Sequence, residues 1–428
     1  MKRLTGSVEE IADILKREQM ELNTSQVEVE NAVSEIIETV KTLGDKALID
    51  YTEKFDGVVL KELQVGRLAI DHAYKEIELE VLVSLKQAKE NIISYHEKQK
   101  ELGFADFQGE GILRGQMIVP LERVGIYVPG GTAAYPSSVL MNALPAKIAG
   151  VEEIIMITPP PKDNVFNSAI LVAADLAGVD KIFQIGGAHG IAALAYGTQM
   201  IPRVDKIVGP GNIFVATAKK QVFGQVGIDM IAGPSEVGVL ADESANPRFI
   251  AADLLSQAEH DVLARAILVT NSEELATEVD QELERQLREL PREEIARASI
   301  ENNGRTIITD TIEHMFELMN KVAPEHLEVQ LEDSIKYLSK IKNAGSVFLG
   351  NYTSEPVGDY FAGANHVLPT GSTARFSSAL GVHDFVKRIQ YTYYDKKALK
   401  NSQRAITALA RKEGLEAHAR AIDVRFEA

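Results

Sequence analysis

Apolar residues in the N-terminal quarter of the chain fall at helical spacing. Ser7-Val8-Glu9-Glu10 has the form of a capping box and opens an amphipathic helix that runs to about Leu22. Thr24 or Ser25 is placed to cap a second helix, whose apolar positions Val27, Ala32, Val33, Ile36, Ile37, Val40 and Leu43 lead to a stop at Gly44. A long charged helix is expected from Asp71 to Leu102, with His72, Tyr74, Tyr95 and His96 as surface or packing residues.

From Gln116 the spacing shortens. The β-rich runs Gln116 to Leu121 and Val124 to Val128 lead into Pro129-Gly130-Gly131 and a helix from about Ser138 to Ala149. Strand, turn and helix then alternate: Ile154 to Thr158, Ala169 to Ala177, Lys181 to Ile185, Gly186-Gly187, Ile191 to Tyr196, Val204 to Val208, and a helix begun by Gly209-Pro210-Gly211-Asn212. This is the pattern of a parallel sheet that takes ligands at the carboxyl ends of its strands. A second such unit follows, with strands at Val237 to Ala241, Ile267 to Thr270, Arg305 to Thr309 and Ser346 to Leu349. Its helices are expected at Pro247 to His260, Glu273 to Leu290 and Glu313 to Val322, the last ending in Ala323-Pro324-Glu325-His326-Leu327-Glu328. The glycine-rich run Gly358 to His366 reads as a loop, and the chain turns mainly helical from Val382, through Lys397 to Arg411 and Gly414 to Arg420. The fold class is therefore α/β: two Rossmann-like parallel-sheet domains with small helical N-terminal and C-terminal extensions.

At 428 residues, 45% of them hydrophobic, the chain is long enough for two large units with substantial cores. The net charge of -17, from 45 basic and 62 acidic residues, argues against nucleic acid and anionic membrane. The absence of cysteine excludes disulfides, thiolate nucleophiles and thiolate-held metals, so any metal must be held by His, Asp, Glu or amide oxygen. No apolar run suits a signal peptide or a bilayer span, and a cytoplasmic location is expected.

Within Leu254-Leu255-Ser256-Gln257-Ala258-Glu259-His260-Asp261, Gln257 and His260 stand three apart on one helical face. An amide oxygen and an imidazole nitrogen there can address one ion such as zinc, or merely form a solvated helix end. Glu325 and His326 set a carboxylate beside an imidazole, and as adjacent residues they suit two separate protons better than one relay. Asp359, His366 and His418 read equally as a turn residue, a buried donor and the wet side of a terminal helix. The glycine turns lack the G-x-G-x-x-G fingerprint, so they suit pyrophosphate or no ligand at all.

Taken together, the ordered motifs Gly125 to Gly131, Gly209 to Asn212, Gly233 to Glu236, Ser256 to Asp261, Pro324 to Glu328, Gly358 to Tyr360 and Asn365 to Thr370 resemble those of the histidinol dehydrogenases, and they span most of the chain. The resemblance implies zinc-dependent oxidation of L-histidinol to L-histidine through L-histidinal, with two NAD reduced, as the last step of histidine biosynthesis. It places the zinc ligands at Gln257, His260, Asp359 and His418 and the catalytic pair at Glu325 and His326. Substrate contacts fall on Ser235, Gln257, His260, His326, Asp359, His366, Glu413 and His418, and cofactor contacts on Tyr127, His189 and Asn212. At His189 the better-known pattern has glutamine, which implies a cofactor contact with a new pH dependence, and Phe214 replaces a common tyrosine. Glu413 and His418 resemble residues that reach the neighbouring subunit's site, which implies a homodimer.

The spread of these residues implies four segments: an arm at 1–22, a discontinuous first domain at 23–122 plus 240–380, an NAD-binding domain at 123–239 and a helical tail at 381–428. Three competing readings are a related dehydrogenase acting on another small alcohol, a zinc hydrolase with Glu325 as base, and a non-catalytic metabolite-binding protein. Intact Glu325, His326, His366 and Glu413 favour histidinol oxidation over these. Manganese or cobalt would accept the same ligand types as zinc.

Overall fold

The computed structural model describes residues 1–22, 27–130, 135–161 and 165–427. The expected cap at Thr24 or Ser25, and Gly131, lie outside them. The chain divides into two units, one made of Met1–Gln99 and Leu121–Phe385, the other of Lys100–Pro120 and Val386–Ala428.

The larger unit contains two sheets with all strands parallel. One has the order Lys181–Phe183, Glu153–Ile157, Arg123–Tyr127, Lys206–Val208, Gly227–Ile228. Alternation sends Val124, Ile126, Ile154 and Met156 towards the helices Pro136–Ala149 and Ser168–Ala177. Tyr127, Ile155, Ile157 and Phe183 face Val27–Leu43 and Gly187–Tyr196 on the other side. Both faces are covered, which is why these strands read as unbroken apolar runs. The strand order reverses between Arg123–Tyr127 and Lys206–Val208, the switch point at which such sheets take ligands.

The second sheet has the order Lys2–Leu4, Arg305–Ile308, Arg265–Thr270, Glu236–Ala241, His326–Gln330, Ser346–Leu349. Val237, Val239, Ala266 and Leu268 pack on Pro247–Ala258 and its neighbouring helices, and Leu240, Ile267, Val269, Leu327 and Val329 on Val8–Leu22 and Ile312–Val322. The α/β class with two Rossmann-like parallel sheets is the one observed. The capping box also forms: the Ser7 N–H donates to Glu10 Oε2 at 2.9 Å and the Glu10 N–H to Ser7 Oγ at 3.3 Å.

Several elements differ from expectation. The single helix expected over Asp71 to Leu102 is two, Arg67–Glu76 and Leu79–His96, parted at Ile77, whose backbone is extended (φ -68°, ψ 136°). The break lets both pieces lay apolar residues, among them Ala73, Leu85, Ala88 and Ile92, on one core. The helices Asp45–Asp56 and Glu293–Asn303 and the strand His326–Gln330 were not anticipated, and the expected loop around Asp359 contains the helix Glu355–Tyr360.

The smaller unit carries the largest departure. Val386–Tyr394, expected to be helical, is a strand rich in Val, Ile, Thr and Tyr, residues that favour a pleated surface. It pairs antiparallel with Ile112–Pro120, which in turn pairs with Phe104–Phe107. The run from Gln116 therefore belongs to this sheet and not to the parallel one. The helices Lys396–Lys412 and Glu416–Asp423 complete the unit.

Candidate active site

Parallel pairing of Glu236–Ala241 with His326–Gln330 brings Glu236, Glu325 and His326 together at the amino edge of the six-stranded sheet. The backbone of Glu236 serves both neighbours: its N–H donates to Glu325 Oε2 at 3.0 Å, and its carbonyl accepts from His326 Nδ1 at 3.1 Å. A carbonyl only accepts, so Nδ1 carries a proton and Nε2 is left as the nitrogen that can gain or lose one. That nitrogen is buried without a hydrogen-bond partner, 3.6 Å from Asp359 Oδ1. The approach to the pair is tight. Ala323 sits in the left-handed region at φ 51°, and the carbonyl of Glu325 accepts from the Ser346 N–H at 2.9 Å.

Electrostatics separate the two groups. Burial pushes the Glu325 carboxyl up to about 7 against the opposing charge of His326. Burial pulls the His326 imidazole down, but Glu325, Asp359 and Glu355 outweigh it and hold it at about 10. Asp359 goes the other way: burial opposes ionisation, yet His326 and His366 keep it at about 2.

His326, Glu328 and Gln330 line the strand face turned towards the helix Pro247–Ala258, while Leu327 and Val329 face the core behind. Gln330 Nε2 donates to Asp253 Oδ2 at 2.7 Å and to Glu328 Oε2 at 2.8 Å. Glu328 Oε1 accepts from the Glu355 N–H at 2.9 Å, and Ser256 Oγ donates to Glu355 Oε2 at 3.2 Å. Burial, with Asp253 beside it, pushes Glu328 up to about 9; burial and Asp359 push Glu355 up to about 8. This protonated network anchors the end of the helix that carries Gln257 and His260.

Gln257 is 1% exposed and its Oε1 has no partner. His260, just past the helix end, is exposed and lies within the fields of Asp359 and His326. Among the described residues, His326, Glu355 and Asp359 can bring one ligand atom each within 4.8 Å of one another. The buried, unpartnered oxygen of Gln257, the imidazole of His260 and the carboxylate of Asp359 are donor types that a borderline divalent cation accepts. Glu355 was missed by the sequence reading, since only a helical assignment reveals it four residues before Asp359.

His366 Nδ1 donates to the Asp359 carbonyl at 2.9 Å, and its Nε2 meets Ser138 Oγ at 3.2 Å. Ser235 is half-buried and directly precedes Glu236. The structure thus gathers Ser235, Gln257, His260, Glu325, His326, Asp359 and His366. Glu413 and His418 are exposed in the smaller unit, at the end of Lys396–Lys412 and within Glu416–Asp423.

The residues matched to cofactor contacts cluster at the switch point of the other sheet. Tyr127 ends its strand, buried, with its hydroxyl at the Gly187 backbone; burial pushes it up to about 12. Asn212 is exposed and caps Ile213–Val222, its Oδ1 accepting from Phe214 and Val215. His189 is 1% exposed, tilted against Tyr51 and Phe55, with Nε2 3.3 Å from Thr52 Oγ1 and Nδ1 unpartnered. Burial alone lowers it to about 4.

Among the described residues no helix is long and apolar enough to cross a membrane. The family model for histidinol dehydrogenase matches residues 18–426. The histidinol dehydrogenase of Streptococcus mutans is 66% identical over 425 residues, covering 99% of each chain, and that of Listeria monocytogenes is 62% identical over 100% of this chain and 99% of its own. The crystal structure of histidinol dehydrogenase from Elizabethkingia anophelis superposes with a TM-score of 0.89 at 41% identity, covering 93% of this chain and 92% of that one. Likeness along nearly the whole length, in sequence and in fold, establishes that this chain belongs to the histidinol dehydrogenase family.

Proposed function

We propose that the protein oxidises L-histidinol to L-histidine in two steps, each passing a hydride to NAD, as the last step of histidine biosynthesis. The observation that carries this reading is the pair of adjacent groups with separate tasks: His326, whose Nε2 is buried and has no hydrogen-bond partner, and Glu325, whose carboxyl is raised to about 7. An alcohol oxidation must remove a hydroxyl proton, and an aldehyde oxidation must deprotonate the water that adds. His326 Nε2 suits the first, because its other nitrogen is tied to the Glu236 carbonyl. Glu325 suits the second, because a carboxyl poised near neutrality takes and returns a proton readily.

Gln257, His260 and Asp359 would hold a zinc ion, with His418 supplied by a second copy. When bound, the ion would supply positive charge to anchor a nitrogen-bearing substrate. Engagement of Asp359 would take negative charge away from His326 and so let its Nε2 lose its proton nearer neutral pH. Ser235, His366 and Glu413 complete the substrate contacts. Tyr127, Asn212 and His189 would hold NAD, which would supply the hydride acceptor for each oxidation. Retaining the aldehyde in one pocket keeps a reactive species out of water. On this reading the working unit is a cytoplasmic homodimer, and the exposed Phe104, Phe107, Met117, Ile389 and Tyr393 of the smaller unit fit a partner surface.

The test is NADH absorbance at saturating NAD with histidinol. Two NADH per histidine formed is the expected result; one NADH per substrate consumed would reduce the enzyme to an alcohol dehydrogenase, and a flat trace would remove the reading altogether.

A further inference from the structure

Behind the cofactor-side turn lies an ion pair that the chemistry above does not use. Lys219 Nζ and Asp229 Oδ1 are in contact, with side chains 2% and 1% exposed. Lys219 Nζ also donates to the Gly209 carbonyl at 2.9 Å, and the Gly209 N–H donates to Asp229 Oδ2 at 2.8 Å. The two charges thus grip both the N–H and the carbonyl of one residue. Asp229 further accepts from its neighbour's N–H, that of Met230, at 2.6 Å.

The gripped residue occupies a demanding position. Gly209 follows the strand Lys206–Val208 at the switch point, has φ +111°, and passes so close to Tyr127 that a Cβ would stand 2.2 Å from the Tyr127 carbonyl oxygen. Three residues on, Asn212 caps the next helix. A buried ion pair contributes little net stability compared with apolar residues of the same volume, so burying one here calls for a reason other than cohesion. What the ionic pair does and an apolar pair could not is bind two opposed peptide dipoles at once.

We propose that Lys219 and Asp229 form a positioning clamp that fixes the Gly209 turn and thereby sets Asn212 for the cofactor. The clamp rests on the reading that NAD binds at this switch point. It also ties the turn to the connector from Asp229 to Ser235, which leads into Glu236 at the active site.

The test uses the full-length enzyme and the double variant Lys219→Met with Asp229→Leu, which leaves no buried charge without a partner. The clamp predicts that KM for NAD rises at least tenfold, while KM for histidinol and metal content stay within twofold of the unaltered enzyme. A folded double variant with KM for NAD within twofold of the parent overturns it. Should the variant not fold, amide exchange of the unaltered protein decides: the Gly209 N–H must exchange as slowly as the sheet core without NAD, and exchange at an open-loop rate overturns the clamp. Failure of the unaltered enzyme to reduce NAD would instead sink the underlying reading of function.

Discussion

His189 shows how burial changes what a side chain can do. From the sequence, an imidazole where the family pattern has glutamine suggests a new pH dependence in cofactor binding. In the structure the ring is enclosed by Tyr51, Thr52 and Phe55, and burial lowers it to about 4. It is neutral throughout the working range and holds its place as an uncharged ring. The unfolded chain takes up this proton near 6.5 and the folded chain near 4, so His189 supports stability above 6.5, and that support drains away as pH falls towards 4. The shift is equivalent to about 3 kcal/mol at most. His189→Gln should therefore leave the pH–rate profile between 6 and 9 unchanged and move acid unfolding to lower pH, as followed by circular dichroism. An altered rate profile at neutral pH would contradict the buried, neutral ring. The ordered motifs made Glu325, His326 and Gln257 legible as a set, but Glu355 and Ser138 escaped, because a lone carboxylate or hydroxyl carries no signal until its neighbours in space are known.

At the level of elements, the strand His326–Gln330 is the instructive omission. His326-Leu327-Glu328-Val329-Gln330 alternates polar and apolar residues with a period of two, the mark of a strand, but the preceding helix Ile312–Val322 invites the segment to be read as its end. The polar face of this strand is buried, against the usual rule for alternating strands, since it looks onto the helix bearing Asp253 and Gln257. Its start is held by the turn before Ser346–Leu349: the Gly345 N–H donates to the Pro324 carbonyl at 3.0 Å, and a Cβ on Gly345 would come within 2.5 Å of the Glu325 carbonyl oxygen. Gly345→Ala should push Glu325 off its position. A displacement near 1 Å costs roughly a hundredfold in rate, so a fall in kcat of that order is expected in steady-state assays, together with a lowered melting temperature. Unchanged kcat and unchanged melting would show that the turn gives way without disturbing the pair.

For the whole molecule, the decisive feature is that two parallel sheets contribute opposite edges. The five-stranded sheet presents Tyr127 and Gly209 at the carboxyl ends of its strands, whereas the six-stranded sheet presents Glu236 and His326 at the amino ends of theirs. The proposal that His418 of a second copy completes the metal set is tested at this scale as well. His418→Ala should be inactive alone. Mixed at random with Glu325→Gln chains it should recover about a quarter of parental activity, since half the dimers are mixed and one of their two sites is intact; no recovery would mean that the tail serves its own chain. Local spacing and motif order determined the α/β class, most helices and strands and the capping box at Ser7, and nominated Glu325, His326 and Gln257, because each depends on residues a few positions apart or on ordered matches. Only the tertiary structure decided that Val386–Tyr394 is a strand, that Asp359 rides on a helix, that His189 is buried, and that Lys219 meets Asp229 across the Gly209 turn. Pairing partners, burial and the fields that shift protonation arise between segments far apart in the chain, and no local pattern encodes them.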